Sequence, residues 1–170
     1  MKNLVLDMGK IIKKDFLSFI IILVIFLLDQ VSKYYVVNFF NDQYYEIFLT
    51  SFLNIQLIWN EGIAFGLLSF ENRYYYNLIS LIIFIVILIL VFLMKSQEKF
   101  KYFYAMIIGG AIGNLIDRIR YSAVPDFIDF HIHDFHWFVF NIADIFVSLG
   151  VFCLIIAEIF FNKNNLNEKN

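Results

Sequence analysis

The sequence has few cysteines, prolines and charged residues. Its 170 residues include one cysteine and one proline, and only 16% of them are charged. A single cysteine excludes a disulfide scaffold and a cysteine-based zinc cluster. The low charge excludes a disordered chain, which combines high charge with low hydrophobicity. A net charge of −2 provides no basic surface for nucleic acid, so no nucleic-acid partner is expected.

Apolar residues are abundant instead. They make up 61% of the chain, against about 45–50% in soluble domains, and Phe alone contributes 22 residues. The mean hydropathy is +0.75. A globule of this size has too little interior to bury so much apolar surface. We therefore expect a single integral membrane domain over residues 1–170.

Four apolar segments predict transmembrane helices, because about 20 mainly apolar residues cross the hydrocarbon core. The third segment carries polar and charged residues towards its end. A polar tail follows the fourth segment over residues 162–170. The predicted spans cover residues 16–37, 77–94, 101–118 and 138–161.

The distribution of Lys and Arg predicts the orientation of these spans. Nine lysines lie before span one, between spans two and three, or in the tail, against four Lys and Arg elsewhere. By the positive-inside rule both termini are cytoplasmic, and the segment 41–76 is external. A cleaved signal peptide is not expected, because no small-residue cleavage site follows the first apolar run.

The external region between spans one and two has a β-strand pattern within residues 44–68. Leu53, Ile55 and Leu57 alternate largely with polar residues, at the period of two typical of a strand. Glu61 and Gly62 then supply a turn signal. The expected fold is therefore an all-α membrane protein of four helices with a small external β-sheet between spans one and two.

Several polar residues lie within the spans, where their energetic cost marks a function or a partner inside the bundle. Asp29 and Lys33 are four residues apart, so they share a helix face and can pair. Asn114, Asp117 and Arg118 also share one face of span three. Structural ion pairs remain an alternative explanation for both sets.

Asp126 and Asp144 form a different kind of pair. Asp126 lies in an apolar-flanked run, and Asp144 follows Asn141 by three residues in span four. Two carboxylates that meet from separate segments share a proton, as in an aspartic peptidase, where one activates water and the other polarises the peptide carbonyl. Spacing alone leaves two alternatives open, a structural network and the proton relay of a small proton-coupled transporter.

Three histidines near span four raise the possibility of a zinc-dependent membrane protease. His131 and His133 point to the same side of an extended segment, whereas His136 does not follow that phase. No closed set of zinc ligands is evident. We therefore expect neither a metal nor another cofactor.

Five motifs in order resemble those of the bacterial lipoprotein signal peptidases, also called signal peptidase II. Each motif alone is weak, but five in order on a chain of this length and span number are specific. The motifs are Asp29–Lys33, Asn60–Phe65, Gly109–Arg118, Val124–Phe127 and Phe140–Asp144.

The resemblance implies a fold, a location and a reaction. The fold is four transmembrane helices with an external β-cradle and a short periplasmic helix, in the bacterial cytoplasmic membrane. The reaction is hydrolysis of the peptide bond just before a diacylglyceryl-modified cysteine in a prolipoprotein, by a monomer in contact with membrane lipid. Pro125, Ile145 and the loop 129–137 depart from the family pattern.

The resemblance also implies the residues of the site. The catalytic dyad is Asp126 and Asp144. The residues expected to line the site and contact the substrate are Asp29, Lys33, Asn60, Gly110, Asn114, Arg118 and Asn141.

Overall fold

The computed structural model describes residues 2–40, 46–62, 73–132 and 135–167. A single 3-10 turn, Glu98–Phe100, precedes the third helix. In chain order, the helices and strands are α1 (Lys2–Phe40), β1 (Ile47–Thr50), β2 (Leu53–Asn60), α2 (Arg73–Ser96), α3 (Lys101–Tyr121), β3 (Val124–Ile132), β4 (Phe135–Phe140) and α4 (Ile142–Asn167).

Three of the helices have the length and hydropathy of membrane spans. Their apolar stretches, Lys13–Phe40, Asn77–Ser96 and Ile142–Phe161, have mean hydropathies of 2.1, 3.2 and 2.3. Large apolar side chains cover their outer faces and are exposed, as Phe84 and Phe92 of α2 illustrate. Such continuous apolar surface is typical of contact with lipid. A membrane protein with several spans is therefore confirmed.

Helix α3 differs from these three because it packs against all of them. Its 21 residues are about 31 Å long, which matches a hydrocarbon core of roughly 30 Å. It nevertheless carries Asp117, Arg118 and Arg120, which lower its hydropathy. Its face of Ala105 and Ile108 is buried against protein. That α3 is a fourth span, and that both termini are cytoplasmic, stay predictions.

Helix α1 separates its polar and apolar residues by face. Over residues 13–40, where the structure describes the side chains, the buried residues are Ser18, Ile25, Asp29, Lys33 and Phe40, at spacings of four and seven that keep them on one side. The remaining surface is mostly exposed and apolar. Asp29 and Lys33, the charged residues in the middle of this span, therefore face the other helices.

The four strands form one antiparallel sheet in the order β1-β2-β3-β4. The alternating pattern predicted at residues 53–60 coincides with β2. Pro125 lies opposite Trp59 of β2, before the pairing of β3 with β4 begins at Ile128. A stretch with only one neighbouring strand is where a β-strand tolerates proline.

The structure corrects two predictions in this region. The sheet was expected between spans one and two alone, yet half of its strands, β3 and β4, lie between α3 and α4. The protein is therefore not an all-α fold with one external β segment, because two separate segments of the chain contribute strands to the sheet. Span four was expected from residue 138, but Phe138–Phe140 belong to β4 and α4 begins at Ile142. The reason is that a short apolar run fits a buried strand as well as a helix.

Some predictions fall outside the described residues. They include the part of the 44–68 segment beyond residue 62, the third histidine, His133, and the last residues of the polar tail. The short external helix implied by the family resemblance is not among the elements of the described ranges.

The connection from α3 to β3 is tight. Ser122 adopts a left-handed conformation with φ 56°, and its backbone N–H donates to the carbonyl oxygen of Arg118 at 3.1 Å. A left-handed residue after the last turn is a common way for a helix to end. The chain therefore enters β3 two residues later, which places Asp126 near the end of α3.

Candidate active site

Asn141 connects the end of the sheet to the first turn of α4. Its side-chain Oδ1 accepts the backbone N–H of Asp144 at 3.0 Å, and the Asp144 carboxylate accepts the backbone N–H of Asn141 at 3.2 Å. This reciprocal arrangement is a capping box, which fixes the start of a helix. The Asp144 side chain is therefore held at the N-terminus of α4.

The same Asn141 also reaches the second carboxylate of the predicted dyad. Its Nδ2 donates to Asp126 Oδ1 at 2.6 Å. The other oxygen of Asp126 accepts a hydrogen bond from Asn60 Nδ2 of β2 at 2.9 Å. Asn60 is in turn held because its Oδ1 accepts the backbone N–H of Gly62 at 3.0 Å. Asp126 thus lies between two amide donors that leave both of its oxygens occupied.

Asn114 of α3 links the dyad to Lys33 of α1. Its Oδ1 accepts from Lys33 Nζ at 2.8 Å and from Asn141 Nδ2 at 3.2 Å, and its Nδ2 donates to Asp144 Oδ1 at 2.9 Å. An ammonium group only donates hydrogen bonds, so Lys33 must face the oxygen of Asn114. The Nδ2 group is thereby turned towards Asp144.

Lys33 is also the centre of a buried ion cluster. Its Nζ lies 2.7 Å from an oxygen of Asp29 and 2.7 Å from an oxygen of Asp117. Asp29 Oδ1 accepts the backbone N–H of Ala143 at 2.9 Å, so it contributes to the N-terminal cap of α4. Gln30 Nε2 donates to Asp117 Oδ1 at 3.0 Å. The cluster therefore joins α1, α3 and α4.

Two glycines of α3 allow this close approach of the helices. A Cβ atom at Gly113 would collide with the Asp29 carboxylate. At Gly110 it would lie 2.5 Å from the backbone oxygen of Ala143 and 2.9 Å from Val147 Cγ2. Small residues are typical of such helix–helix contacts in membranes. Gly110 therefore shapes the site by admitting the start of α4.

Arg118 holds the loop that follows β2. Its Nη2 donates to the carbonyl oxygen of Gly62 at 3.1 Å, and its Nη1 donates to the carbonyl oxygen of Asn114 at 3.3 Å. The first bond joins the end of α3 to Gly62, whose backbone N–H donates to Asn60 Oδ1. Arg118 therefore positions the turn that supports one partner of Asp126 and does not itself hydrogen-bond to either dyad carboxylate.

Burial and the neighbouring Asp144 carboxylate raise the pKa of Asp126 from its ordinary 3.8 to about 7. Hydrogen bonds from Asn60 and Asn141 act in the opposite direction but do not offset the burial. A carboxyl group with such a pKa binds a proton near neutral pH. Because two nearby carboxylates titrate together, this proton belongs to the pair.

An apolar cavity of about 640 Å³ opens beside Asp144. The sheet contributes three aromatic side chains, and α4 contributes the remaining residues. The lining consists of Phe130, Phe138, Phe140, Asp144, Ile145, Ser148, Leu149 and Phe152. An elongated apolar group can therefore lie along α4 with one end at the dyad.

The structure thus brings the predicted site residues together within one hydrogen-bonded and close-packed network. Two parts of it were not predicted. Gln30 was included only as a motif member, and Asp117 was expected only to share a helix face with Asn114 and Arg118, yet Asp117 pairs with Lys33 and Gln30 donates to Asp117. The aromatic lining from β3 and β4 was not predicted, because the strands were not predicted. A period-two reading of residues 124–132 is the signal that could have found them.

Comparisons with known proteins agree with this arrangement. The sequence pattern of the family described as "Signal peptidase (SPase) II" matches residues 21–160. The lipoprotein signal peptidase of Pelagibacter ubique (strain HTCC1062) is 50% identical over 166 residues, which cover 96% of this chain and all of that protein. The lipoprotein signal peptidase of Coxiella burnetii (strain Dugway 5J108-111) is 41% identical over 136 residues, covering 78% of this chain and 83% of that one.

A solved structure has the same fold. A bacterial membrane enzyme determined by the in meso method at 2.3 Å resolution superposes with a TM-score of 0.73 and 31% identity. The match covers 86% of this chain and 90% of the solved one. This chain therefore belongs to the signal peptidase II family and is an aspartic peptidase.

Proposed function

We propose that this protein removes signal peptides from prolipoproteins by hydrolysing the peptide bond just before a diacylglyceryl-modified cysteine. The proposed catalytic pair is Asp126 and Asp144. The observation that carries the proposal is the sharing of Asn141 by these two carboxylates, from β3 and α4, at the mouth of an apolar cavity.

The partners of the pair suit acid–base chemistry. Amide groups donate to both carboxylates, and within the described ranges neither carboxylate forms an ion pair with Lys or Arg. A carboxylate neutralised by a direct cation would hold no proton near neutral pH. The ionised member of the pair takes a proton from water, and the protonated member donates a hydrogen bond to the peptide carbonyl oxygen.

The surrounding residues position this pair. Lys33 orients the amide of Asn114 towards Asp144, and Asn141 holds Asp126 while its backbone and side chain cap α4. Asn60 occupies the second oxygen of Asp126. We assign these residues, together with Asp29, Gly110 and Arg118, to the support and lining of the site.

The apolar cavity supplies the proposed preference for a lipid-bearing substrate. Its aromatic and aliphatic walls bind acyl chains through the hydrophobic effect, while the adjacent Asp144 reaches the peptide beside them. A lipid anchor also confines the substrate to the membrane that holds the helices. We place the enzyme as a monomer in the bacterial cytoplasmic membrane, since one chain supplies both carboxylates.

A gel-shift assay with a diacylglyceryl-modified prolipoprotein tests this function. Purified protein in detergent is compared with Asp126→Asn and Asp144→Asn, each with and without a chelator. Glu98→Gln, which changes an exposed carboxylate in the same way, is the matched control. We expect cleavage by the wild type and by the control, unaffected by chelator, and none by either dyad variant.

Two results would contradict the proposal. Cleavage at the wild-type rate by either folded dyad variant would exclude the pair as the catalytic group. Cleavage of an unmodified precursor as fast as the lipid-bearing one would exclude the proposed specificity while leaving the dyad in place.

A further inference from the structure

The sheet carries a second polar cluster on the face opposite the dyad. Side chains alternate between the two faces of a strand, so Asp129 and His131 of β3 point away from the side of Asp126. His136 of β4 lies directly opposite His131, and Asn54 of β2 lies directly opposite Asp129. Directly opposed residues share a face. The cluster Asn54–Asp129–His131–His136 therefore belongs to three neighbouring strands.

An irregularity in β4 brings His136 into this cluster. Phe130 pairs with Phe138, but the next residue of β3, His131, pairs with His136, so one extra residue lies in β4. Such a bulge re-aims the side chains that follow it. These histidines were predicted to lie in one extended segment, in which His136 does not share a side with His131. The two residues instead lie on paired strands, so that prediction does not apply.

The cluster contains polar atoms that lack partners. Within the described residues, four buried side-chain polar atoms have no hydrogen bond, and three of them are Asn54 Oδ1, Asp129 Oδ1 and His131 Nδ1. The exposed fractions of these residues are 1%, 0% and 8%. A buried polar atom without a partner is costly, commonly by about 1–3 kcal/mol. Three such atoms at one place call for a ligand that satisfies them together.

The existing contacts do not remove this requirement. His136 Nδ1 lies 2.7 Å from Asp129 Oδ2, and the rings of His131 and His136 are stacked with centroids 5.2 Å apart. The contact with His136 uses only one oxygen of Asp129. One ligand atom from each of Asp129, His131 and His136 lies within 4.8 Å of the other two.

We propose that Asp129, His131 and His136 bind a divalent transition-metal ion of the zinc type, with Asn54 Oδ1 available as a fourth ligand. One carboxylate with two imidazoles is a donor set that suits zinc. It does not suit Mg²⁺ or Ca²⁺, which take oxygen ligands. Bonds of about 2.0–2.2 Å place tetrahedral ligand atoms roughly 3.4 Å apart, so the site closes by a small movement of the half-exposed His136 side chain.

The ion would link β2, β3 and β4, the strands that carry Asn60, Asp126 and the aromatic wall of the cavity. Its expected effect is on the stability of the sheet, because a ligand that binds only the folded protein raises the thermal midpoint. The cluster faces away from the dyad, so peptide hydrolysis does not require the ion. The site is thus distinct from the zinc-protease alternative, in which the histidines would perform the cleavage.

Metal binding to the tag-free protein in detergent tests the proposal. After treatment with a chelator and its removal, Zn²⁺ is titrated by calorimetry and the thermal midpoint is followed at each concentration. We expect one equivalent of Zn²⁺ to bind and the midpoint to rise with its concentration, with no rise for Mg²⁺ or Ca²⁺. Co²⁺ in place of Zn²⁺ should give a visible absorption spectrum typical of nitrogen and oxygen ligands.

The decisive variant is His136→Gln, because the side chain of His136 is half exposed and its replacement leaves the buried residues in place. We expect it to weaken Zn²⁺ binding by at least the roughly 10–100-fold typical of removing an outer-shell partner. Asp129→Asn should act in the same direction, while Glu98→Gln, which makes the same change at an exposed carboxylate outside the sheet, is the matched control and keeps the wild-type midpoint shift.

The opposite pattern would overturn the proposal. An equal Zn²⁺-dependent rise in the midpoint of wild type and His136→Gln excludes this cluster, as does the absence of any stoichiometric binding by wild type. Prolipoprotein cleavage by each variant, measured separately with chelator, shows that the variants are folded. Failure of metal binding therefore leaves the proposed peptidase function untouched.

Discussion

Two groups of carboxylates lie side by side at one end of the helix bundle, and they differ in their partners. Asp29 and Asp117 both form ion pairs with Lys33. Asp126 and Asp144 are held by amide groups instead, and Asp144 borders the apolar cavity. The two carboxylates of the first group share one fixed cation, whereas the raised pKa of Asp126 lets the second group bind a proton near neutral pH.

The difference follows from the chemistry of the linking residue. The Lys33 ammonium donates to Asp29, Asp117 and the oxygen of Asn114, so it has no donor left for the dyad. Lys33 fixes the orientation of the Asn114 amide, which donates a hydrogen bond to Asp144. Asp144 therefore contacts a neutral donor and not a full positive charge. One cluster therefore joins three helices, and the other is the pair that we propose as catalytic.

The largest expected effect comes from replacing a dyad carboxylate by an amide. Asp126→Asn and Asp144→Asn should lower kcat/KM at the upper end of the roughly 10²–10⁴-fold range for general acid–base catalysis. The thermal midpoint should fall only modestly, because the amide keeps one acceptor oxygen and no buried cation loses its partner. Cleavage kinetics and thermal unfolding of the same samples measure both quantities. A large drop in the midpoint would mean that the dyad, like the first group, is structural.

Breaking the lysine cluster should have its main effect on the free energy of unfolding. Lys33→Met leaves Asp29 and Asp117 as buried charges without a cation, which typically destabilises a protein by about 3–5 kcal/mol. The matched control is Lys14→Met, which removes an exposed ion pair with Glu98 and should change the free energy of unfolding by less than about 1 kcal/mol. Chemical unfolding in detergent provides the measurement. Equal destabilisation by the two variants would show that the buried cluster has no special role.

The two groups also differ in their position relative to the apolar cavity, because Asp144 lines it and Asp29 and Asp117 are not among its lining residues. Leu149→Trp should fill part of the cavity and raise KM for the lipid-bearing substrate roughly tenfold, the effect of about 1.4 kcal/mol of lost binding. Val151→Trp, on an exposed part of α4 outside the lining, is the control. Steady-state kinetics should show little change in kcat for either variant. The proposed acyl site is wrong if the two variants behave alike.

The smallest effect is on the pH dependence of the dyad. The reaction needs one proton on the pair, so kcat/KM should fall as the pH rises through the Asp126 pKa of about 7. Asn60 donates to Asp126 and favours its ionised form, which lowers this pKa. Asn60→Leu removes the donor, so the pKa should rise and the alkaline limb should move to higher pH. A shift to lower pH in the measured profile would contradict the assigned role of Asn60.

Sequence patterns predicted the helices well because hydropathy is a local property. The stretches of α1, α2 and α4 are visible as long runs of mainly apolar residues. Sequence patterns missed β3 and β4. The run Phe138–Phe140 was assigned to span four because it is apolar enough to continue into a membrane helix, and it forms a strand by pairing with β3. The patterns also left α3 ambiguous, because its polar face is stabilised by contact with other helices rather than by its own composition.

The candidate site also has features that the sequence predicted and features that only the structure reveals. The chain by itself determined which residues are out of place in a membrane, and the spacing of Asp29 and Lys33 already predicted their pairing. Only the tertiary structure decided that Asp29 caps α4 and that Asn141 joins Asp126 to Asp144. It also decided that Asp129 meets His136 on the far face of the sheet. The reason is separation along the chain, since Asp29 and Ala143 are 114 residues apart and no local pattern can encode their hydrogen bond.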